Sequence, residues 1–198
     1  MKKPVLLFCF IISISITALS QARFEITLKN NTAPEAKTKE QLQRLLATYD
    51  VSKWIFTRKI EIDEKAIPHS HPVLTLSARH VKDDELLLST FVHEQIHWHF
   101  VINDKLTDEA LKDLKAMFHK VPDKGPEGAR DEESTYIHLF VCYLEYRADR
   151  GLLGELKAKQ VMEFWTTDHY TWIYKTVLER ARDIGSVLIK HKLMKPDW

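Results

Sequence analysis

Apolar residues alternate with polar ones through much of the first half of the chain and recur every three or four positions through the second. Phe24, Ile26 and Leu28 alternate over residues 23–29, which predicts a half-buried strand. Residues 30–34 interrupt that pattern, and over 35–49 Leu42, Leu45 and Leu46 share one helical stripe. Alternation returns over 54–62 and again over 71–78, where Pro72 lacks a ladder donor and favours an edge position. From residue 83 onward the period is helical: 83–101, 107–119, 131–152, 155–165 and 168–192 each predict a helix. Asp83 or Asp84 and Thr107 are the expected N-caps of the first two, and 121–128, rich in Pro and Gly, is a loop. The segment 83–101 is apolar around most of its circumference and should be central. The expected fold is α+β, a small antiparallel or mixed sheet packed on helix 83–101, followed by an all-helical C-terminal half.

The N-terminus changes the domain count. Met1-Lys2-Lys3 precedes an apolar run over residues 4–19, and Ala18, Ser20 and Ala22 are the small residues a signal peptidase needs. Residues 1–22 therefore read as a signal peptide and 23–198 as one domain, exported to a periplasmic or extracellular space. Were the segment retained as an anchor, a membrane would be a partner, and Lys2 and Lys3 would still keep the domain outside the cytoplasm. Of two cysteines, Cys9 falls in the signal, so the mature domain has Cys142 alone and no internal disulfide. Formal charge is +1, or −1 without Lys2 and Lys3, and no basic run exists, which argues against nucleic acid as a partner.

Candidate chemistry concentrates in one helix. His93-Glu94-Gln95-Ile96-His97 is an H-E-x-x-H pattern within 83–101. Residues four apart on a helix point to the same side, so two imidazoles can converge on one Zn²⁺ while Glu94, turned about 100° away, can act on a water the metal activates. Titratable side chains on so apolar a helix are costly unless satisfied, and a metal satisfies them. A catalytic zinc takes a third protein ligand. Glu145 and Asp149 share a face of the 131–152 helix, so Glu145 is the expected ligand, with Asp149 accepting a hydrogen bond from the far nitrogen of a ligand histidine, His93 above all. His138, seven residues before Glu145 on the same face, is the main rival, and Glu132 and Glu133 are weaker ones.

Over residues 71–149 the order of edge strand, H-E-x-x-H helix, connecting helix and E-x-x-x-D helix resembles the gluzincins, the thermolysin-like branch of the zincin metallopeptidases. The resemblance implies hydrolysis of peptide bonds with one zinc per chain on His93, His97 and Glu145 and with Glu94 as base. It further implies a His or Tyr downstream that stabilises the oxyanion, for which His169 and Tyr170 are the candidates and His138 an alternative. A peptide or protein substrate would pair with edge strand 71–78. Two competing readings are a catalytically silent, zinc-stabilised binding protein on such a scaffold and a metal-dependent amidase acting on a non-peptide amide.

Overall fold

The computed structural model describes residues 24–195 and Trp198; the expected signal peptide, 1–22, lies outside them. The elements run β1 (Glu25–Leu28), α1 (Ala33–Thr48), a 3-10 turn (Ser52–Trp54), β2 (Lys59–Ile62), β3 (Leu74–Leu76), α2 (Asp84–Ile102), α3 (Asp104–Met117), α4 (Glu132–Leu153), α5 (Glu155–Asp168) and α6 (Thr171–Lys190). The class is α+β, as expected, with a small sheet first and helices only from α2 onward. Among the described residues no helix is long and apolar enough to cross a membrane.

The sheet departs from expectation in direction. Its order is β1-β2-β3 and both pairings are parallel, neither antiparallel nor mixed. Alternation along a strand specifies which face is buried but carries no information on direction, which depends on how the connections run. Here α1 returns the chain to the start of β2, and residues 63–73 return it to the start of β3. Ile60 aligns with Leu74 and Ile62 with Leu76, and all four are buried in the core with Leu42, Leu45 and Phe91.

The strand expected over 71–78 is Leu74–Leu76, at the sheet edge, and its outer side is already paired. The Thr75 amide donates to the His69 carbonyl at 2.7 Å, and the His69 amide donates to the Thr75 carbonyl at 3.1 Å. Segment 67–70 thus lies outside β3, and Trp98 of α2 holds it there by donating its indole N–H to the Ser70 carbonyl at 2.8 Å.

The strand expected over 54–62 begins only at Lys59, and the reason lies in α2. Gln95 is fully buried; its Oε1 accepts from the Phe56 and Thr57 amides at 2.8 and 2.9 Å, and its Nε2 donates to the Thr57 carbonyl at 2.8 Å. A side chain takes the part of a neighbouring strand, so this stretch is extended without belonging to the sheet. Gln95→Leu keeps the volume but strands two donors and an acceptor. An unpaired buried group costs about 1–3 kcal/mol, so the expected loss is about 2–4 kcal/mol, or roughly 5–15 °C in Tm for a domain of this size. Thermal melts followed by circular dichroism check this, and a melt unchanged within about 2 °C would refute it.

Helix ends follow side-chain capping. Thr32 and Glu35 form a reciprocal capping box at α1, and Asp83 and Asp131 accept from the Leu86 and Ser134 amides to open α2 and α4. Thr107 does not cap: α3 starts three residues earlier, and the Thr107 hydroxyl turns back to the Phe100 and Asn103 carbonyls. The stretch expected as one helix over 168–192 is broken at His169, since α5 runs on to Asp168 and α6 starts at Thr171. Carbonyls of Pro126 and Glu127 accept from the Thr171 and Trp172 amides, so the expected 121–128 loop caps α6. Gly128 makes that loop possible, because a Cβ there would meet the Pro122 carbonyl oxygen at 2.7 Å.

The helix pair α2 and α4 forms the centre. Leu87, Leu88, Phe91, Val92 and Ile96 of α2 and Leu139, Phe140, Val141 and Leu144 of α4 are all essentially without solvent contact. The sheet and α1 cover one side of α2, while α5 and α6 pack on α4. Ser89 and Asp149, between these two helices, are fully buried, so their polar atoms must find partners within the protein.

Candidate metal centre

Four polar residues of α2 (Ser89, His93, Glu94 and His97) face four of α4 (His138, Cys142, Glu145 and Asp149) in this apolar setting. His93, His97 and Glu94 sit in the helix as their spacing predicts, and His138 of α4 comes level with the two α2 imidazoles. One ligand atom from each of His93, His97 and His138 lies within 4.8 Å of the others. The ring centroids are 5.0 Å apart for His93 and His97, 4.8 Å for His97 and His138, and 5.6 Å for His93 and His138. The Nε2 atoms of His93 and His97 are 3.3 Å apart.

Hydrogen bonds fix which nitrogen each ring presents. His93 Nδ1 donates to Glu145 Oε2 at 2.8 Å, and His138 Nδ1 donates to the Ser134 carbonyl at 2.5 Å. Both rings therefore direct Nε2 at the common point, as metal-ligating histidines do when the other nitrogen is held by a carboxylate or a carbonyl. Burial also keeps two of the rings neutral. It pushes His138 down to about 3 and His97 well below its ordinary value, with the neighbouring imidazoles adding to both effects. His93 is different: burial opposes its charge, but the Glu145 carboxylate outweighs this and holds it well above the usual histidine range. The donor chemistry fits a zinc ion, which takes neutral imidazole nitrogen and would replace the proton that His93 otherwise keeps.

Glu145 lies on the opposite side of the His93 ring from this point, in the position expected for Asp149. Its Oε2 also accepts from the Tyr174 hydroxyl at 2.9 Å, and its Oε1 accepts from the Ser89 hydroxyl at 2.6 Å. Asp149 stands one step further out, 2.8 Å from Ser89 Oγ, with its other oxygen unpartnered. Burial, reinforced by the Glu145 charge, raises Asp149 well above the usual carboxylate range. A protonated Asp149 donates to Ser89, Ser89 donates to Glu145, and the Trp165 indole N–H supports Ser89 at 3.2 Å. The result is a buried chain, Asp149–Ser89–Glu145–His93, in which a single carboxylate charge faces a single imidazole.

A second set of ligand atoms, from His93, Cys142 and Glu145, also falls within 4.8 Å. All three residues are buried and Cys142 does not line the cavity, so this set has no open position for a substrate. Filling it would also break the His93–Glu145 bond.

The histidine triad opens instead on a cavity of about 590 Å³ lined by segment 67–70, α2, the start of α4 and the α5–α6 corner. Glu94 is on this wall, and burial pushes its carboxyl up to about 7. His169 and Tyr170 are on it too. His169 Nδ1 donates to Asp168 at 2.7 Å, and Asp168 is clamped by both Nη atoms of Arg79. The Tyr170 and His138 ring centroids are 4.5 Å apart, and the Tyr170 backbone is left-handed (φ 50°, ψ 36°). For a bulky residue that conformation costs about 1–3 kcal/mol, supported here by the loop carbonyls that cap α6.

Glu132 and Glu133 lie outside the cavity, and Lys115 pairs with Glu133. His99 turns into the core, where its Nε2 donates to the Leu193 carbonyl at 2.8 Å. Sequence reasoning passed over Ser89, Tyr174 and the two cavity arginines, Arg79 and Arg130. Ser89 had a signal, as a hydroxyl four residues before His93 on an apolar helix; the arginines had none. No protein-family model, curated protein or solved structure matches this chain.

Proposed function

We propose that this protein is an exported zinc-dependent peptidase of gluzincin-like architecture, in which His93, His97 and His138 hold the metal and Glu94 is the general base. The observation that carries the reading is the convergence of three imidazoles, two with Nδ1 committed elsewhere, beside a buried glutamate in an open cavity. The third ligand is then a histidine, and Glu145 has the supporting role that the family resemblance gives to Asp149.

Zinc in such a site supplies Lewis acidity toward a carbonyl and makes water nucleophilic near neutral pH. The remaining steps belong to side chains. Glu94 removes a proton from the attacking water at its carboxylate and delivers it to the departing amine. Tyr170, beside His138, is within the cavity where the substrate carbonyl gains negative charge, and its hydroxyl is a donor for that oxygen. His169, oriented by Asp168 and Arg79, is a second group on the same wall. Segment 67–70 covers the outer side of β3 and lines the cavity, so an extended peptide would meet this segment before 71–78.

Metal analysis of the purified domain by mass spectrometry is expected to give about one zinc per chain after reconstitution, and a peptide library is expected to be cleaved only by the zinc-loaded form. No zinc after reconstitution would end the reading. Zinc without cleavage of any peptide would instead favour a silent binding module or an amidase for a different substrate.

A further inference from the structure

The charged groups around the cavity are unevenly committed. Among the described residues its lining carboxylates are Glu94 and Glu145, and Glu145 is enclosed by His93, Tyr174 and Ser89. Of its two arginines, Arg79 has both Nη atoms on Asp168. Arg130 is held differently. Its Nε donates to Asp131 Oδ2 at 3.0 Å, while its two Nη groups have no hydrogen-bond partner among the described residues. Asp131 cannot swing away with it, because its other oxygen accepts from the Ser134 amide at 2.7 Å as the N-cap of α4. The guanidinium stem is thus tethered to a fixed helix end and its fork points outward, with the side chain 87% exposed at the mouth.

Arg130 directly precedes the N-cap of α4, Ser134 and His138 lie one turn apart at the start of that helix, and all three line the cavity. The helical rise from Glu132 to His138 is about 9 Å, the two non-helical residues before Glu132 add up to about 7 Å, and an extended peptide advances about 3.3–3.6 Å per residue. A carboxylate a few residues from a peptide bond held at His138 therefore comes within reach of the Arg130 fork. A carboxylate is the group whose two oxygens match the two parallel N–H vectors of a guanidinium. From this we infer that Arg130 is a specificity-determining residue and that the cavity selects peptides carrying a carboxylate, either a free chain end or an acidic side chain, close to the bond at the histidine triad.

The inference rests on the peptidase reading of the same cavity, so its test measures binding apart from turnover. The probes are peptide hydroxamates in two matched pairs, one with a free acid or an amide at the chain end, the other with Glu or Gln in an amidated chain. They are titrated calorimetrically into zinc-loaded wild type, R130Q, R130E and, as a control for surface charge, R182Q. The acid member of at least one pair is expected to bind about three- to tenfold more tightly to wild type and R182Q, the range between an exposed ion pair and a bidentate one. The preference should shrink at high salt, vanish in R130Q and reverse in R130E. The pair that responds identifies the source of the carboxylate. Equal binding within both pairs, or a preference that survives in R130Q, overturns the inference. Peptide cleavage without acid preference removes this inference and leaves the peptidase reading standing. Acid preference without cleavage of any peptide does the reverse.

Discussion

His138→Ala is expected to release most of the zinc from a protein that remains folded, a larger loss than that of any change at Glu145. In the proposed site the imidazole would supply one of three nitrogens to the ion, and alanine offers nothing in its place. The backbone around it should persist, because Leu139, Phe140 and Val141 anchor that turn of α4 in the core. Glu145→Gln should act more weakly. An amide oxygen can still accept from His93 Nδ1, so the ring keeps its tautomer but loses basicity, and partners of this kind alter metal affinity by about 10–100-fold. Gln is a better choice than Ala here, since Ala would leave the buried Tyr174 and Ser89 hydroxyls without the carboxylate that accepts from both. Competition with a chromophoric chelator gives both affinities. Zinc retained in His138→Ala and lost in Glu145→Gln would mean that the carboxylate, not the third imidazole, binds the ion, and the triad would fall with that result.

The two assignments differ by the way two helices cross, which is why the sequence leaves them open. A four-residue spacing tells which side of α2 carries His93 and His97, and an E-x-x-x-D spacing tells that Glu145 and Asp149 face inward. His138 and Glu145 share that face but stand seven residues, about 10 Å, apart along α4. Which of them comes level with the two imidazoles depends on where α4 crosses α2, a property of packing rather than of local pattern. The same limit applies to residues 54–58, whose alternation reads as strand although the hydrogen bonds go to Gln95. It applies equally to the sheet, whose parallel direction comes from the connections and not from the strands.

What was legible was local. The helices after residue 83 emerged because each has a strong period, to which α2 and α4 add the capping residues Asp83 and Asp131. The exception has a local cause as well: a threonine can cap a helix or bond back to the previous turn, and Thr107 does the second. Arg130 shows the opposite case. Nothing near it in sequence distinguishes it from other exposed arginines, and its interest comes only from the cavity on which its helix end opens.

Glu94→Gln should leave the zinc content and the melting temperature near those of the wild type while lowering peptide hydrolysis by about 10²–10⁴-fold, the usual contribution of a positioned general base. Among the described residues no side-chain hydrogen bond ties Glu94 to another protein group, and the amide has nearly the same shape. Its carboxyl is buried among the imidazoles and raised to about 7 by that burial, so a neutral amide fits the pocket without an unbalanced charge. The amide can still hydrogen-bond a water but cannot take its proton, which separates positioning from proton transfer. Zinc content by mass spectrometry, melting by circular dichroism and kcat/KM on a cleaved library peptide give the three readouts. A Gln variant that keeps wild-type kcat/KM would remove Glu94 as the base and return His169, which lines the same cavity, as the group to examine. A variant that loses zinc along with activity would mean that Glu94 contributes to holding the ion, and its assignment would change from base to ligand.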